Sequence, residues 1–151
     1  MTTPLSTPAV VGTESAQRVE LSLAADAQML FLARMTAAAV ASRANFAYDQ
    51  VEDLRLATDE LCIRLMSEND GGGRIALVFG WDDEGTLDVT GTLTPDGSLS
   101  GNGHRPPAAV TEPSDELSER ILDALVDDHG GETIGDVHRA WLRIRRHELA
   151  G

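Results

Sequence analysis

Residues 74–91 constrain the fold more tightly than any other stretch. Ile75, Leu77 and Phe79 alternate with Ala76, Val78 and Gly80, Asp82-Asp83-Glu84-Gly85 turns the chain, and Leu87, Val89 and Gly91 return with the same period. A period of two sends every second side chain to one face, so the segment reads as an antiparallel hairpin with one apolar face. That face must be covered by another layer, and the rest of the chain has to supply it.

Two helices precede the hairpin. Asp26 reads as an N-cap for a helix running to about Arg43, with Met29, Leu32, Met35, Ala39 and Val40 at helical spacing. Ala37-Ala38-Ala39 lets that helix lie close to a sheet, and Arg34 falls at the edge of the apolar stripe or outside it. Asp49-Gln50-Val51-Glu52 reads as an acidic N-cap with a Glu reaching back. From there Val51, Leu54, Thr58, Leu61, Cys62 and Leu65 form an apolar face, with Asp53, Leu56, Glu60 and Arg64 on the other, up to the break at Gly71-Gly72-Gly73.

The ends of the ordered region are read in the same way. Val19, Leu21 and Leu23 alternate with Glu20 and Ser22 as a half-buried strand, and residues 1–17, rich in Thr, Ser, Pro and Gly, read as a flexible tail. Residues 94–115 read as a long, lid-like loop. A third helix over Ser114–Asp128 turns Leu117, Ile121, Leu122 and Leu125 inward, and Glu132-Thr133-Ile134, a Gly135-Asp136 turn and a strand from Val137 to Arg146 close the chain. The expectation is a single domain over 18–148. It is an α+β two-layer sandwich: one mixed, mainly antiparallel sheet of about five strands with three helices on one face.

Charge and composition exclude several classes of function. Acids outnumber bases 25 to 12, every base is arginine, and the formal net charge is −13. Neutralising phosphates needs a local excess of cations, so direct DNA binding is excluded as an expectation, and an anionic membrane surface with it. No apolar run approaches the ~20 residues of a membrane span. The lone Cys62 sits on a helix's apolar face as a core residue, and a cytoplasmic setting fits it. His104, His129, His138 and His147 have no metal-ligand spacing. The row Arg139, Arg143, Arg145 and Arg146 reads as a solvated strand face. Glu112, Asp115, Glu116, Glu119, Asp123, Asp127 and Asp128 form the best electrostatic candidate for meeting a basic partner.

The second helix carries a resemblance. Val51-Glu52-Asp53-Leu54-Arg55-Leu56-Ala57-Thr58-Asp59-Glu60-Leu61-Cys62 is similar to the first ATP-box helix of the anti-sigma factor serine kinases, which share a histidine-kinase-like, Bergerat-type (GHKL) ATPase fold with the histidine kinases and gyrase. Val19 to Leu23 and Phe31-Leu32-Ala33-Arg34 resemble that family's first strand and helix. Val126-Asp127-Asp128 resembles its third helix end, and Trp141 to Arg146 its closing strand. The likeness is greatest to actinobacterial stress-response anti-sigma factors.

What the resemblance implies turns on substitutions. A working member carries a Glu that orients or deprotonates the nucleophile and, four residues on, an Asn that holds Mg²⁺ under the ATP phosphates. Glu60 stands at the first position, as a relic general base, and Arg64 at the second. An arginine has five donors and no acceptor, so it cannot ligate a metal, and at this spacing the two should pair with each other. The adenine-binding Asp falls at Leu93, which has no acceptor. The phosphate-loop glycines fall at Glu116 and Ser118, where a carboxylate takes the place of an anion. Together these imply no metal and no cofactor, with Mg·ATP held only if the degenerate site still binds it.

Arg34, with Phe31 beside it, matches the first-helix segment that in the family contacts both a sigma factor and its competing antagonist. The expectation is a homodimeric anti-sigma factor in stress-response partner switching. It would sequester an alternative sigma factor and be released by an anti-anti-sigma (STAS-domain) protein, without turnover. The alternative is an active serine protein kinase that phosphorylates that antagonist through Glu60.

Overall fold

The computed structural model describes residues 17–67, 69, 71–96 and 113–147; residues 1–16 of the expected tail, His104 and most of the loop at 94–115 lie outside them, while Gln17, read as the end of the tail, is already paired with Trp81 in the sheet. The element order is β1 (Gln17–Ala24), a 3₁₀ turn (Ala27–Met29), α1 (Leu30–Arg43), α2 (Tyr48–Ser67), β2 (Arg74–Trp81), β3 (Thr86–Thr94), α3 (Pro113–Leu125), β4 (Asp128–Ile134) and β5 (Val137–Arg145). The five strands form one sheet in the order β1-β2-β3-β5-β4. Every pairing is antiparallel, so the sheet contains no parallel pair among the described residues. The fold is the expected α+β sandwich, with the three helices packed over one face.

The alternation read in the hairpin is the alternation of the core. Ile75, Leu77 and Phe79 of β2, Leu87, Val89 and Leu93 of β3, and Leu142 and Ile144 of β5 are buried under the helices. Small residues set how closely those helices sit. Ala33, Ala37 and Ala41 are fully buried along α1. Below α2, a Cβ on Gly91 would come within 2.7 Å of Leu61 Cδ2, 2.9 Å of Leu65 Cδ1 and 3.1 Å of Leu77 Cδ2. Gly91 therefore gives α2 its seat on the sheet.

The caps explain where the first helix starts and stops. The Asp26 carboxylate accepts from the Gln28 N–H at 3.0 Å, capping the 3₁₀ turn that leads into α1. At the other end Asn45 takes φ 67°, its N–H reaches Ser42 O, and Phe46 N–H reaches Ala41 O. This paired closure needs a left-handed residue, which Asn tolerates, and the buried Phe46 ring seals it.

Several boundaries differ from the sequence reading. α2 starts at Tyr48, so Asp49 lies inside its first turn, favourable to the helix dipole without being its N-cap. α3 ends at Leu125, and Asp128 already belongs to β4, because Asp127 N–H bonds to Arg143 O and pulls the chain onto the sheet. Leu117 points outward at 60% exposure while Ser118 is buried, so the inward face of α3 is rotated from the expected one. The arginine row is not simply solvated. Arg143 forks onto the buried Asp88 at 2.7 and 3.3 Å, Arg139 pairs with Glu132 at 3.3 Å, and Arg146 donates to Ala44 O at 2.8 Å.

Candidate functional site

Helix α2 lies between α1 and α3, and its side chains divide accordingly. Leu54, Ala57, Thr58, Leu61, Cys62 and Leu65 are buried against the sheet. Toward α1, the Asp59 carboxylate accepts from Arg34 Nη1 at 2.8 Å, with both side chains partly exposed. Toward α3, Arg64 Nη2 meets Glu119 at 3.6 Å. The expected pair between Glu60 and Arg64 is therefore replaced by a link between helices. α3 packs along the same flank and presents Glu119 to the guanidinium, while Glu60 carries no hydrogen bond or ion pair among the described residues.

The remaining candidate nucleotide residues lie on β3 and α3. Leu93 is fully buried on the helix-facing side of β3, in register with Ile75 and His138, so it is a core residue. Glu116 and Ser118 lie inside α3, not in a loop that opens it. Glu116 is exposed; Ser118 is buried, and its Oγ has no hydrogen-bond partner. Beside Arg64 is a cavity of about 120 Å³ lined by Leu65, Thr133 and His138. Small-molecule sites run to roughly 300–1,000 Å³, well above this.

The acidic residues near α3 serve the fold. Asp123 binds His129 Nε2 at 2.7 Å, and Asp127 accepts from the Arg145 N–H at 2.7 Å. With Glu119 held by Arg64, the cluster stitches α3 to its neighbours; Glu112 and the side chain of Asp115 lie outside the described residues. Cys62 is fully buried, and burial, with Asp59 adding, pushes its thiol up to about 12, so it is protonated and inert at neutral pH.

The outer surface of α1 and α2 has a different character. Phe31 and Met35 on α1 are 46% and 62% exposed, and Leu56 and Ile63 on α2 are 47% and 44% exposed. Consecutive helices joined by a short turn run antiparallel, and the Arg34–Asp59 contact links the two across their flank. The sequence reading found Phe31 and Arg34 but missed Asp59, Leu56 and Ile63. The signal was there in Leu56, an apolar residue on an otherwise polar face.

Outward carboxylates border this patch. Asp49, Asp53 and Glu60 fall on the outward and α3-facing side of α2, and none has a hydrogen bond or ion pair among the described residues. Partial burial, with Asp49 adding, raises the Asp53 carboxyl above its ordinary value.

No protein-family model matches the chain. It is similar to the serine-protein kinase RsbW of Bacillus cereus (strain AH187), 36% identical over 69 residues that cover 44% of this chain and 43% of that protein. The same identity and coverage hold for the proteins of that name in Bacillus thuringiensis (strain Al Hakam) and Bacillus anthracis (strain CDC 684 / NRRL 3495). The match thus spans less than half of the curated relatives' length. No helix among the described residues is long and apolar enough to cross a membrane. With its three helices on an antiparallel sheet, the chain is similar to the anti-sigma factor serine kinases over this shared stretch.

Proposed function

We propose that this chain is a binding module of transcription control: an anti-sigma factor that sequesters an alternative sigma factor and works as a homodimer. An anti-anti-sigma protein of the STAS type competes for the same surface and releases it. The observation that carries this reading is the outer surface of α1 and α2, where Phe31, Met35, Leu56 and Ile63 stand exposed around the Arg34–Asp59 pair. A monomeric soluble domain rarely leaves large apolar side chains clustered in this way without a protein to cover them.

In this reading the nucleotide site is degenerate. Arg64 offers no oxygen to a metal, Leu93 offers none to an adenine, and Glu116 opposes a phosphate. Each unpaired buried group costs on the order of 1–3 kcal/mol, enough together to remove useful Mg·ATP affinity. Partner exchange then depends on relative affinities alone.

The kinase alternative has one observation in its favour, that Glu60 is partly exposed and engaged by no cation among the described residues. Calorimetry with Mg·ATP and co-purification from the source cell test the proposal together. A sigma subunit recovered with the chain and no heat of nucleotide binding is the expected outcome. Micromolar Mg·ATP affinity, with phosphate transfer to the antagonist that Glu60→Ala abolishes, would replace it with the kinase.

A further inference from the structure

The two flanks of α2 differ in charge. At about 100° per residue, Leu56 and Ile63 fall on one outward line two turns apart, and both side chains are exposed. Glu52 and Asp59 border that line on the side of α1, and each is neutralised, Glu52 by Arg55 and Asp59 by Arg34. Asp53 and Glu60 border it on the side of α3, also two turns apart, with Asp49 one turn before Asp53. No cation forms an ion pair with any of these three among the described residues. Burial, then the charge of Asp49, raise the Asp53 carboxyl, and His147 opposes them more weakly. The outer face of α2 thus carries an apolar line, a neutral flank and an anionic flank.

The spacing selects a helix to cover it. Two turns of α2 rise about 10.5 Å, and a second helix laid alongside repeats its own rows at the same interval. One helical segment can therefore set apolar residues over Leu56 and Ile63 and, from the adjoining row, cations over Asp53 and Glu60. A strand rises about 3.3 Å per residue and points alternate side chains to opposite faces, so one face repeats at about 6.6 or 13 Å and misses both pairs. Charge then selects the source of that helix. The chain's formal net charge of −13 repels nucleic acid and an anionic lipid surface. A second copy is a poor donor of cations. Arg34, Arg55 and Arg64 are already in ion pairs, so no helix among the described residues presents two arginines outside one. What remains is a different protein with a basic amphipathic helix.

We infer that the outer face of α2 docks an amphipathic helix of a partner protein, with an apolar stripe over Leu56 and Ile63 and lysines or arginines along one flank against Asp53 and Glu60. This rests on the reading that the outer surface of α1 and α2 docks a partner, and it adds the chemistry of the docked segment. It also sets the direction of docking, because reversing the helix would turn its cations toward Arg34 and Arg55. The probe is a synthetic helix of about 18 residues with leucine on one face, lysine along one flank and glutamine elsewhere, titrated with the full chain by fluorescence anisotropy. Neutralising both carboxylates, Asp53→Asn with Glu60→Gln, should weaken binding roughly three- to tenfold and flatten its salt dependence. Leu56→Ser with Ile63→Ser should weaken it at least about tenfold. Asp83→Asn with Glu84→Gln removes the same charge from the exposed β2–β3 turn and should change binding by less than about twofold. All these positions are at least partly exposed, and circular dichroism melts check that each variant folds. Equal losses from the two neutralised pairs, or equally tight binding of a peptide with glutamate in place of lysine, would overturn the inference. Its failure is distinct from that of the reading beneath it. A sigma subunit that co-purifies with the chain and binds the Asp53→Asn, Glu60→Gln variant as tightly as wild type sinks the basic helix alone. A peptide bound as expected while no sigma subunit is recovered sinks the anti-sigma reading and leaves the docking face standing.

Discussion

Arg34→Ala separates a structural arginine from a recognition arginine, because the structure bounds the first effect. The guanidinium meets Asp59 at 2.8 Å, with the two side chains 34% and 25% exposed. A pair as wet as this contributes about 0.2–1 kcal/mol, since solvent screens the attraction and two long side chains must be held still. For a domain of this size a loss of up to about 1 kcal/mol lowers Tm by roughly 2–5 °C. If Arg34 is also a contact at the centre of an apolar interface, its loss should cost at least about 2 kcal/mol of binding, or roughly thirtyfold in Kd. Arg34→Glu is a poorer probe, because it sets a second carboxylate against Asp59 and lowers stability on its own account. Asp59→Asn is the control: it removes the partner charge, keeps the shape and leaves the guanidinium free. Thermal melts by circular dichroism and calorimetric titration of the co-purified partner measure the two effects, and the double variant completes the cycle. The expected pattern is a small, similar Tm loss in both single variants and a large affinity loss in Arg34→Ala alone. Equal Tm losses with unchanged affinity in both would refute the recognition role.

Other outcomes follow from single side chains. Gly91→Ala drives a methyl into Leu61, Leu65 and Leu77. Overpacking costs about 1–3 kcal/mol and the stiffer unfolded chain returns roughly 0.4–1, so a net loss of about 1–2 kcal/mol in urea unfolding is expected, and an unchanged midpoint would show that α2 can move. Cys62 should resist thiol reagents at pH 8 until the chain unfolds. Because the native thiol keeps its proton up to about 12 against 9.0 in a free thiol, stability should fall as pH climbs above about 9.0, and Cys62→Ala should lose that alkaline slope. The raised Asp53 carboxyl favours the protonated form in the fold, so its contribution is present below about pH 3.8 and lost as pH rises through the native value. Asp53→Asn should raise Tm at neutral pH and give no gain below pH 3.8, and a gain of equal size at both would assign the effect to something other than charge.

The strands and the buried face of α2 were legible because period-two and helical alternation report directly on which side is covered, whereas the stripe read on α1 through Met35 and Ala39 points outward and the small residues Ala33, Ala37 and Ala41 face the core instead. Ile75 to Phe79 and Leu54 to Leu65 behave as they read. α3 was misjudged at Leu117 because nearly all of its charged positions look outward, leaving a short apolar stripe that two rotations satisfy about equally. The ion pairs were least legible. Arg64 sits one turn from Glu60, which suggests a local pair, yet its partner Glu119 is 55 positions away and is brought near only by the packing of α2 against α3. Arg34–Asp59 and Arg143–Asp88 are likewise long-range. Sequence spacing ranks neighbours along one helix and is silent about neighbours across two.

Those long-range contacts bear on the proposed binding role. α2 is tied to α1 through Asp59, to α3 through Arg64, and to the end of β5 through the buried Gln50, whose amide donates to Arg145 O at 2.8 Å and accepts from His147 N–H at 3.0 Å. A helix held at three places is a stiff platform, and stiffness lowers the ordering cost of docking a partner on its outer face. A nucleotide cradle asks the opposite of the same helix: a free amide oxygen for a metal and a neighbouring segment able to close over phosphates. Arg64 fails both demands at once, since the guanidinium that offers a metal no oxygen is also the group that links α2 to α3. Restoring an amide there by Arg64→Asn would therefore release α3 before it built a metal site, with Leu93 and Glu116 still in place.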